Sequence, residues 1–228
     1  FFTAPDKRRM SAEQVVDSLF QASGRSMKVE EITFDSDSRQ PPDRMLNLGV
    51  PKRAWEYTSL SNERDRPSLA LPRVQAVTDV LEAFGWRGAR QNPSTDRDTS
   101  AHLLQPAILA NGTLSSWISR LSDNSFLTRI ALESKTPEEL TDEIYLRFLS
   151  RFPTADEKNK MLDMLDLGFV SRIKNPAPST FIELARLPRI SWTNHLVEEA
   201  TKVKLEMEKR ARLGDAPSEL LDASWRER

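Results

Sequence analysis

Residues 136–157 read TPEELTDEIYLRFLSRFPTADE, and this stretch decides the fold. Thr136 stands where an N-cap is needed, Pro137 fits the first helical position, and Glu139 falls three residues after the cap. Leu140, Ile144 and Phe148 then recur at i, i+4 spacing, which predicts a helix over 137–150. Thr154-Ala-Asp-Glu157 repeats the capping pattern and opens a second helix over 155–166, carrying Met161, Leu162 and Leu165. Only residues 150–153 separate the two, so they predict an antiparallel helical hairpin in which Leu140, Ile144, Phe148, Met161 and Leu165 meet.

The same signals recur on either side. Ser11 with Gln14 forms a capping box ahead of Val15, Val16, Leu19 and Phe20, predicting a helix over 11–22 that stops at Gly24. Val74, Val77, Leu81 and Phe84 form one stripe over 74–84. Further helices are expected near 101–110, 113–121 and 124–133, and a long one over 180–209, kinked or divided at Pro188. Residues 25–52 lose helical period and contain Pro41, Pro42, Gly49 and Pro51, so short strands near 29–34 are the most regular structure expected there. The expected fold is thus mainly α: an irregular helical domain over 1–195, loop-rich over 25–72, followed by a solvated helical extension and tail over 196–228. Glu198/Lys202, Glu206/Arg210 and Glu208/Arg212 make that extension a charged helix with a narrow apolar stripe.

Composition removes many functions. The 228 residues include no cysteine, which excludes disulfides, thiolate zinc sites, cysteine nucleophiles and covalent haem attachment. Two histidines, His102 and His195, are too few for a multi-histidine metal site. Thirty-three basic against thirty-four acidic residues leave a net charge of -1, without the field that draws a protein to nucleic acid or an anionic membrane. Seven scattered glycines form neither a phosphate loop nor a dinucleotide fingerprint, and no apolar run is long enough to span a bilayer. The opening Phe1-Phe-Thr-Ala-Pro5 has neither an initiator Met nor a signal-peptide core, as expected of a chain that begins inside a longer precursor.

Local candidates for chemistry read more simply as structure. Asp35 and Asp37 open like a calcium loop, but Gln40 stands at the sixth position and Leu46 at the twelfth, where glycine and glutamate are needed. Ser100 and His102 are two apart, which points them to different sides of a helix. Asn111-Gly-Thr113 satisfies the glycosylation pattern and reads as a helix C-cap. The arginines Arg87, Arg90 and Arg97 lack the interleaved aromatics of a nucleic-acid platform. Asp96, Arg97, Asp98 and Thr99 are expected to form a structural latch: Asp98 or Thr99 caps a helix starting near 101, and Arg97 reaches a distant carboxylate or helix end. Trp192, Asn194 and His195 are expected to anchor a helix through a buried hydrogen-bonding site. No catalytic residue, metal or cofactor is expected.

Five segments in order carry a family resemblance: residues 8–19 (RRMSAEQVVDSL), Phe84-Gly85 with 96–100 (DRDTS), 105–112 (QPAILANG), 140–157 and 190–195 (ISWTNH). Together they resemble the C-terminal domain of unknown function of large secreted planctomycete proteins that also carry cytochrome c-like domains. That resemblance implies an exported, mostly helical domain, periplasmic or at the cell surface, and it brings no catalytic residues. The haem segment of such proteins is absent, because no Cys-x-x-Cys-His occurs. Two functions follow as expectations. One is a non-catalytic structural or interaction subunit of an exported assembly, binding other protein subunits through 196–213. The other is a carbohydrate-binding or carbohydrate-processing accessory, with Trp55, Tyr57 and Trp86 stacking on sugar rings.

Overall fold

The computed structural model describes residues 9–29, 32–33, 47–60, 72–86, 97–98, 100–122, 125–165, 167–174, 187–188, 196–214 and 217–227. Among them the architecture is helical: α1 (Ala12–Ser23), α2 (Ala54–Leu60), α3 (Pro72–Ala83), α4 (Leu104–Asn111), α5 (Thr113–Ser119), α6 (Phe126–Glu133), α7 (Pro137–Leu149), α8 (Ala155–Leu165), α9 (Glu198–Gly214) and α10 (Ala223–Arg226). Two short antiparallel strands, β1 (Ile32–Thr33) and β2 (Asn47–Gly49), lie in the loop-rich third. Most of the expected 180–209 helix lies outside the described residues, which resume its course as α9.

The chain gathers into two compact units. One comprises Phe1–Leu19, Met27–Ser115 and Arg189–Leu205, the other Phe20–Ser26, Ser116–Pro188 and Glu206–Arg228.

In the first unit the apolar face of α1 buries Ala12, Val15 and Val16, and α3 buries Val74, Val77, Val80 and Leu81. The expectation of a loop-rich stretch without a helix over 25–72 is corrected by α2, a helix of seven residues, too short for its period to show. The free amide of its first residue is met from outside the helix, Asp17 Oδ1 accepting from Ala54 N at 2.7 Å, while Glu56 on its first turn reaches back, its Oε2 accepting from Lys52 N at 2.7 Å just before the helix. Tyr57 is fully buried one turn on, with its hydroxyl 2.9 Å from Thr78 Oγ1.

The second unit is built on the hairpin. Its core joins Ile130 and Ala131 of α6, Leu140 of α7, Phe169, Leu221 and Trp225, with Ile144 and Leu165 packed against them. Lys158 of α8 bridges to Asp142 of α7 at 2.8 Å. The last turn of α1 enters this unit, where Arg147 donates to the carbonyls of Ala22 (2.9 Å) and Gln21 (2.5 Å), a cation at a helix C-terminus. Gly24 ends that turn at φ +65°, and a Cβ there would lie 2.4 Å from Phe126 Cβ, so glycine is required on both counts.

Two sequence expectations are corrected here. Phe148 is 42% exposed and lies outside the hairpin core. A helix advances about 400° over four residues, so each i, i+4 step drifts about 40°, and Leu140 to Phe148 drifts about 80° off the seam. The second correction concerns the tail. Residues 217–227 are not a free tail: Leu221 is fully buried, Trp225 nearly so, and Ile173 pairs with Leu221 in an antiparallel bridge.

Arg172 fastens these parts. Its buried guanidinium donates from Nε to Ala131 O (2.6 Å), from Nη1 to Phe169 O (2.7 Å) and from Nη2 to Ser134 O (2.5 Å), with the Phe169 ring 3.7 Å away. Its own carbonyl accepts from Asp222 N at 2.7 Å.

The core assignment yields a contrast. Leu140→Ala should cost about 2–5 kcal/mol, the usual range for emptying a buried leucine site. Phe148→Ala should cost less than about 1 kcal/mol, since its ring already meets water. Denaturant titrations of both variants check this, and equal losses would put Phe148 back in the core.

Candidate functional site

Two clusters stand out once the fold is in place: a polar node in the first unit and the apolar end of the hairpin in the second. The node is made by Arg97, whose Nη1 donates to Glu13 Oε2 at 2.6 Å, on the first turn of α1. Burial pushes the Glu13 carboxyl up, but hydrogen bonds from Arg97, its own backbone amide and Ser11 outweigh that, and its pKa lies below the ordinary glutamate value. Gly85 sits against the same loop at φ +93°, and a Cβ there would lie 1.9 Å from the Asp98 carbonyl oxygen. Buried Gln105 then donates from Nε2 to the carbonyls of Ala83 and Ser100, each at 3.1 Å. The contacts of this node are with other groups of the chain, which is how a structural tie behaves.

Asp98 does not cap a helix beginning near 101. Its Oδ1 accepts from Ser100 N at 2.8 Å in a local turn, and α4 starts later, at Leu104, with no side-chain cap at Leu103. The apolar pattern at 103–109 marked the segment correctly but not its first turn, since Leu103 and Leu104 are both exposed. Asp96 and Thr99 of the expected latch lie outside the described residues, as do Trp192, Asn194 and His195 of the expected anchor. Ser100 and His102 are both exposed.

The other caps have definite geometry. Gln14 N donates to Ser11 Oγ (3.2 Å) while Ser11 N donates to Gln14 Oε1 (2.9 Å). Glu139 N donates to Thr136 Oγ1 at 3.2 Å, and Glu157 N to Thr154 Oγ1 at 3.4 Å.

The third cap organises the hairpin end. Ser150 closes α7 in the left-handed region at φ 54°, its amide donating to Leu146 O at 3.1 Å. Arg151 then makes a two-pronged ion pair with Glu157, 2.8 Å on each side, and Thr154 N donates to Glu157 Oε2 at 2.8 Å. These hydrogen bonds, from Arg151 first and then from Thr154, hold the Glu157 carboxyl down to about 2. The turn's charges are thereby consumed internally. Its apolar side chains are left outside: Leu149 is 54% exposed and Phe152 63% exposed, beside Phe148 and Leu146.

The aromatic surface expected for sugar stacking does not form. Tyr57 and Trp86 are buried against each other with ring centroids 5.8 Å apart, and Trp55 alone of the three is exposed. Among the described residues no group of three histidine, aspartate or glutamate side chains is placed to hold a metal ion, and no helix is long and apolar enough to cross a membrane.

A depressed carboxyl stabilises the folded turn fully above its unfolded value, and that contribution is lost as pH falls through the folded value. For Glu157 the window runs from about pH 4.5 down to about 2. Carboxyl-carbon NMR should therefore place its titration near 2, and Arg151→Ala should return it towards 4.5. A midpoint near 4.5 in the unaltered chain would show that the ion pair does not hold the turn.

No curated protein and no solved structure matches the chain. One family profile does, and it covers residues 1–165, more than half the sequence. On that match the chain belongs to PSD1, Protein of unknown function (DUF1553).

Proposed function

We propose that this chain is a non-catalytic interaction subunit of a larger exported assembly and that the end of the α7–α8 hairpin is its docking surface. The export setting rests on the resemblance to secreted planctomycete proteins. The observation that carries the reading is the exposure of Phe148, Leu149 and Phe152 on a turn whose backbone and charges are already fixed by Ser150, Arg151, Thr154 and Glu157.

Scattered exposed apolar residues need no explanation, but a group of large ones on one rigid turn presents a surface that water disfavours. Rigidity matters because a preorganised surface loses little conformational entropy on docking. Aromatic side chains are also the residues that most often anchor protein interfaces. The partner that fits is another protein subunit with a complementary apolar recess. Catalysis needs free titratable groups converging on one point, whereas Arg97, Glu13, Arg151 and Glu157 are each engaged within the chain.

Phe152→Asp in the full-length chain tests this directly. Because the side chain is mostly exposed, thermal stability should change by less than about 1 kcal/mol. Capture of partner chains from the native extract should fall at least about tenfold, the equivalent of losing one anchor worth about 1.4 kcal/mol. Unchanged capture by a stably folded Phe152→Asp chain would remove the hairpin end as the docking surface.

A further inference from the structure

Helix α4 carries its polarity the wrong way round. A surface helix ordinarily turns its apolar side to the core and its polar side to water. Leu103 continues the spiral one residue ahead of α4, at φ -63° and ψ -21°. At about 100° a residue, Leu103, Pro106, Ala107 and Ala110 fall within about 100° of arc, and Gln105 falls on the far side. The polar residue is the buried one: Gln105 spends its amide on Ala83 O and Ser100 O. Leu103 is 88% exposed and Leu104 55% exposed, and Pro106, Ala107 and Ala110 are exposed with them.

The inverted face is held firmly. Gln105 fixes the first turn, and at the other end Gly112 N donates to Ile108 O at 2.8 Å. A surface already ordered loses little conformational entropy on docking.

The charge pattern says what such a face meets. In a chain of which 29% is charged, residues 99–119 contain no aspartate, glutamate, lysine or arginine. Charged residues are depleted in this way at the buried centres of protein interfaces. A partner that set a charge against this face would lose that charge's hydration and receive no counter-charge in return, so the complementary surface is uncharged and apolar. A helix that lies on a lipid surface carries lysine and arginine along its polar side, and residues 99–119 supply neither. A second copy laid face to face on α4 would cover too little, because eight residues make a helix about 12 Å long. The contact would bury roughly a few hundred Å², against the about 1,200–2,000 Å² of a stable interface. A groove that encloses the outward arc from several sides covers more.

We propose that the outward face of α4 docks into an apolar, uncharged groove of a partner protein. Leu103 and Leu104 enter its recess as anchors, and the small side chains of Ala107 and Ala110 let the groove wall come close to the helix backbone, the helix-in-groove mode of recognition. This surface is separate from the hairpin end, since α4 belongs to the first unit.

Because Leu103 is almost wholly exposed, a photoreactive side chain takes its place without entering the core. Irradiation of the full-length Leu103→benzoylphenylalanine chain in its native extract should give an adduct with a protein. The cross-linked peptide, mapped by mass spectrometry, should lie in an apolar segment with no charged residue within about four positions, one turn of helix. Ala107→Glu in the same chain should lower the adduct yield at least about tenfold, the effect of an uncompensated charge in the seam. Its thermal transition should not move, since position 107 is exposed. Where it does move, Ala110→Lys on the same arc takes its place, a cation near a helix C-terminus being well tolerated. An adduct mapped to a charged segment or to a second copy of the chain, no protein adduct, or a yield untouched by the added charge overturns the proposal. Vesicles of neutral phosphatidylcholine supply the lipid arm. The chain should remain in the supernatant on sedimentation, and co-sedimentation abolished by Leu103→Glu would assign the face to a membrane and overturn the protein groove.

Discussion

A buried guanidinium holds the second unit together. Arg172 has no carboxylate among its hydrogen bonds; its charge is met by three carbonyls, two of them at the C-terminal end of α6, where the helix dipole is negative. Burial pulls its pKa below the ordinary arginine value, yet a guanidinium stays charged at any pH the fold meets. A buried charge left without partners is among the costliest defects a core can contain. So the end of α6, the turn at Phe169 and the Arg172 backbone are bound to one arrangement. Because the Arg172 carbonyl also receives the Asp222 amide, the placement of the C-terminal segment depends on the same residue.

How much of this was legible in the sequence depends on whether the signal is local. The hairpin was legible from Thr136, Pro137, Thr154 and Glu157, because a cap acts within three residues and helices α7 and α8 begin and end within a residue of the reading. The resemblance to the secreted planctomycete domain was legible too, and the family match agrees with a domain of unknown function. The seat of 217–227 was not. Its order comes from a bridge to residues 172–174 and from Trp225 entering a core built by α6 and α7, and neither leaves a periodic trace in the segment itself. In the same way the first amide of α2, on Ala54, takes its acceptor from Asp17, thirty-seven residues away.

The side chains that stand out in the string were legible only in part, for a related reason. Sequence reading put weight on Asp96–Thr99 and on the aromatic residues Trp55, Tyr57 and Trp86, because charge clusters and aromatics are visible in a string. Burial reverses the meaning of the aromatics, since Tyr57 and Trp86 are core, whereas Arg97 meets the distant carboxylate of Glu13, the kind of partner expected of a latch. Phe148 was assigned to the core on its spacing, yet helical drift brings it out beside Leu149 and Phe152. A signal for the exposed end was present in the string, since Leu149 ends the first helix and Phe152 lies within a connection of five residues, 150–154, too short to bury them. It becomes decisive only once Arg151 and Glu157 are seen to fix the turn.

The proposed docking role rests on an apolar surface carried by a turn that is already rigid. The measurement that bears on this most directly is amide hydrogen exchange of the full-length chain, alone and within the assembly recovered from its native extract. The account expects added protection over 146–153 in the assembly, with α3 and the α6 core unchanged. Equal exchange of 146–153 in the two states, with protection gained elsewhere, would contradict it.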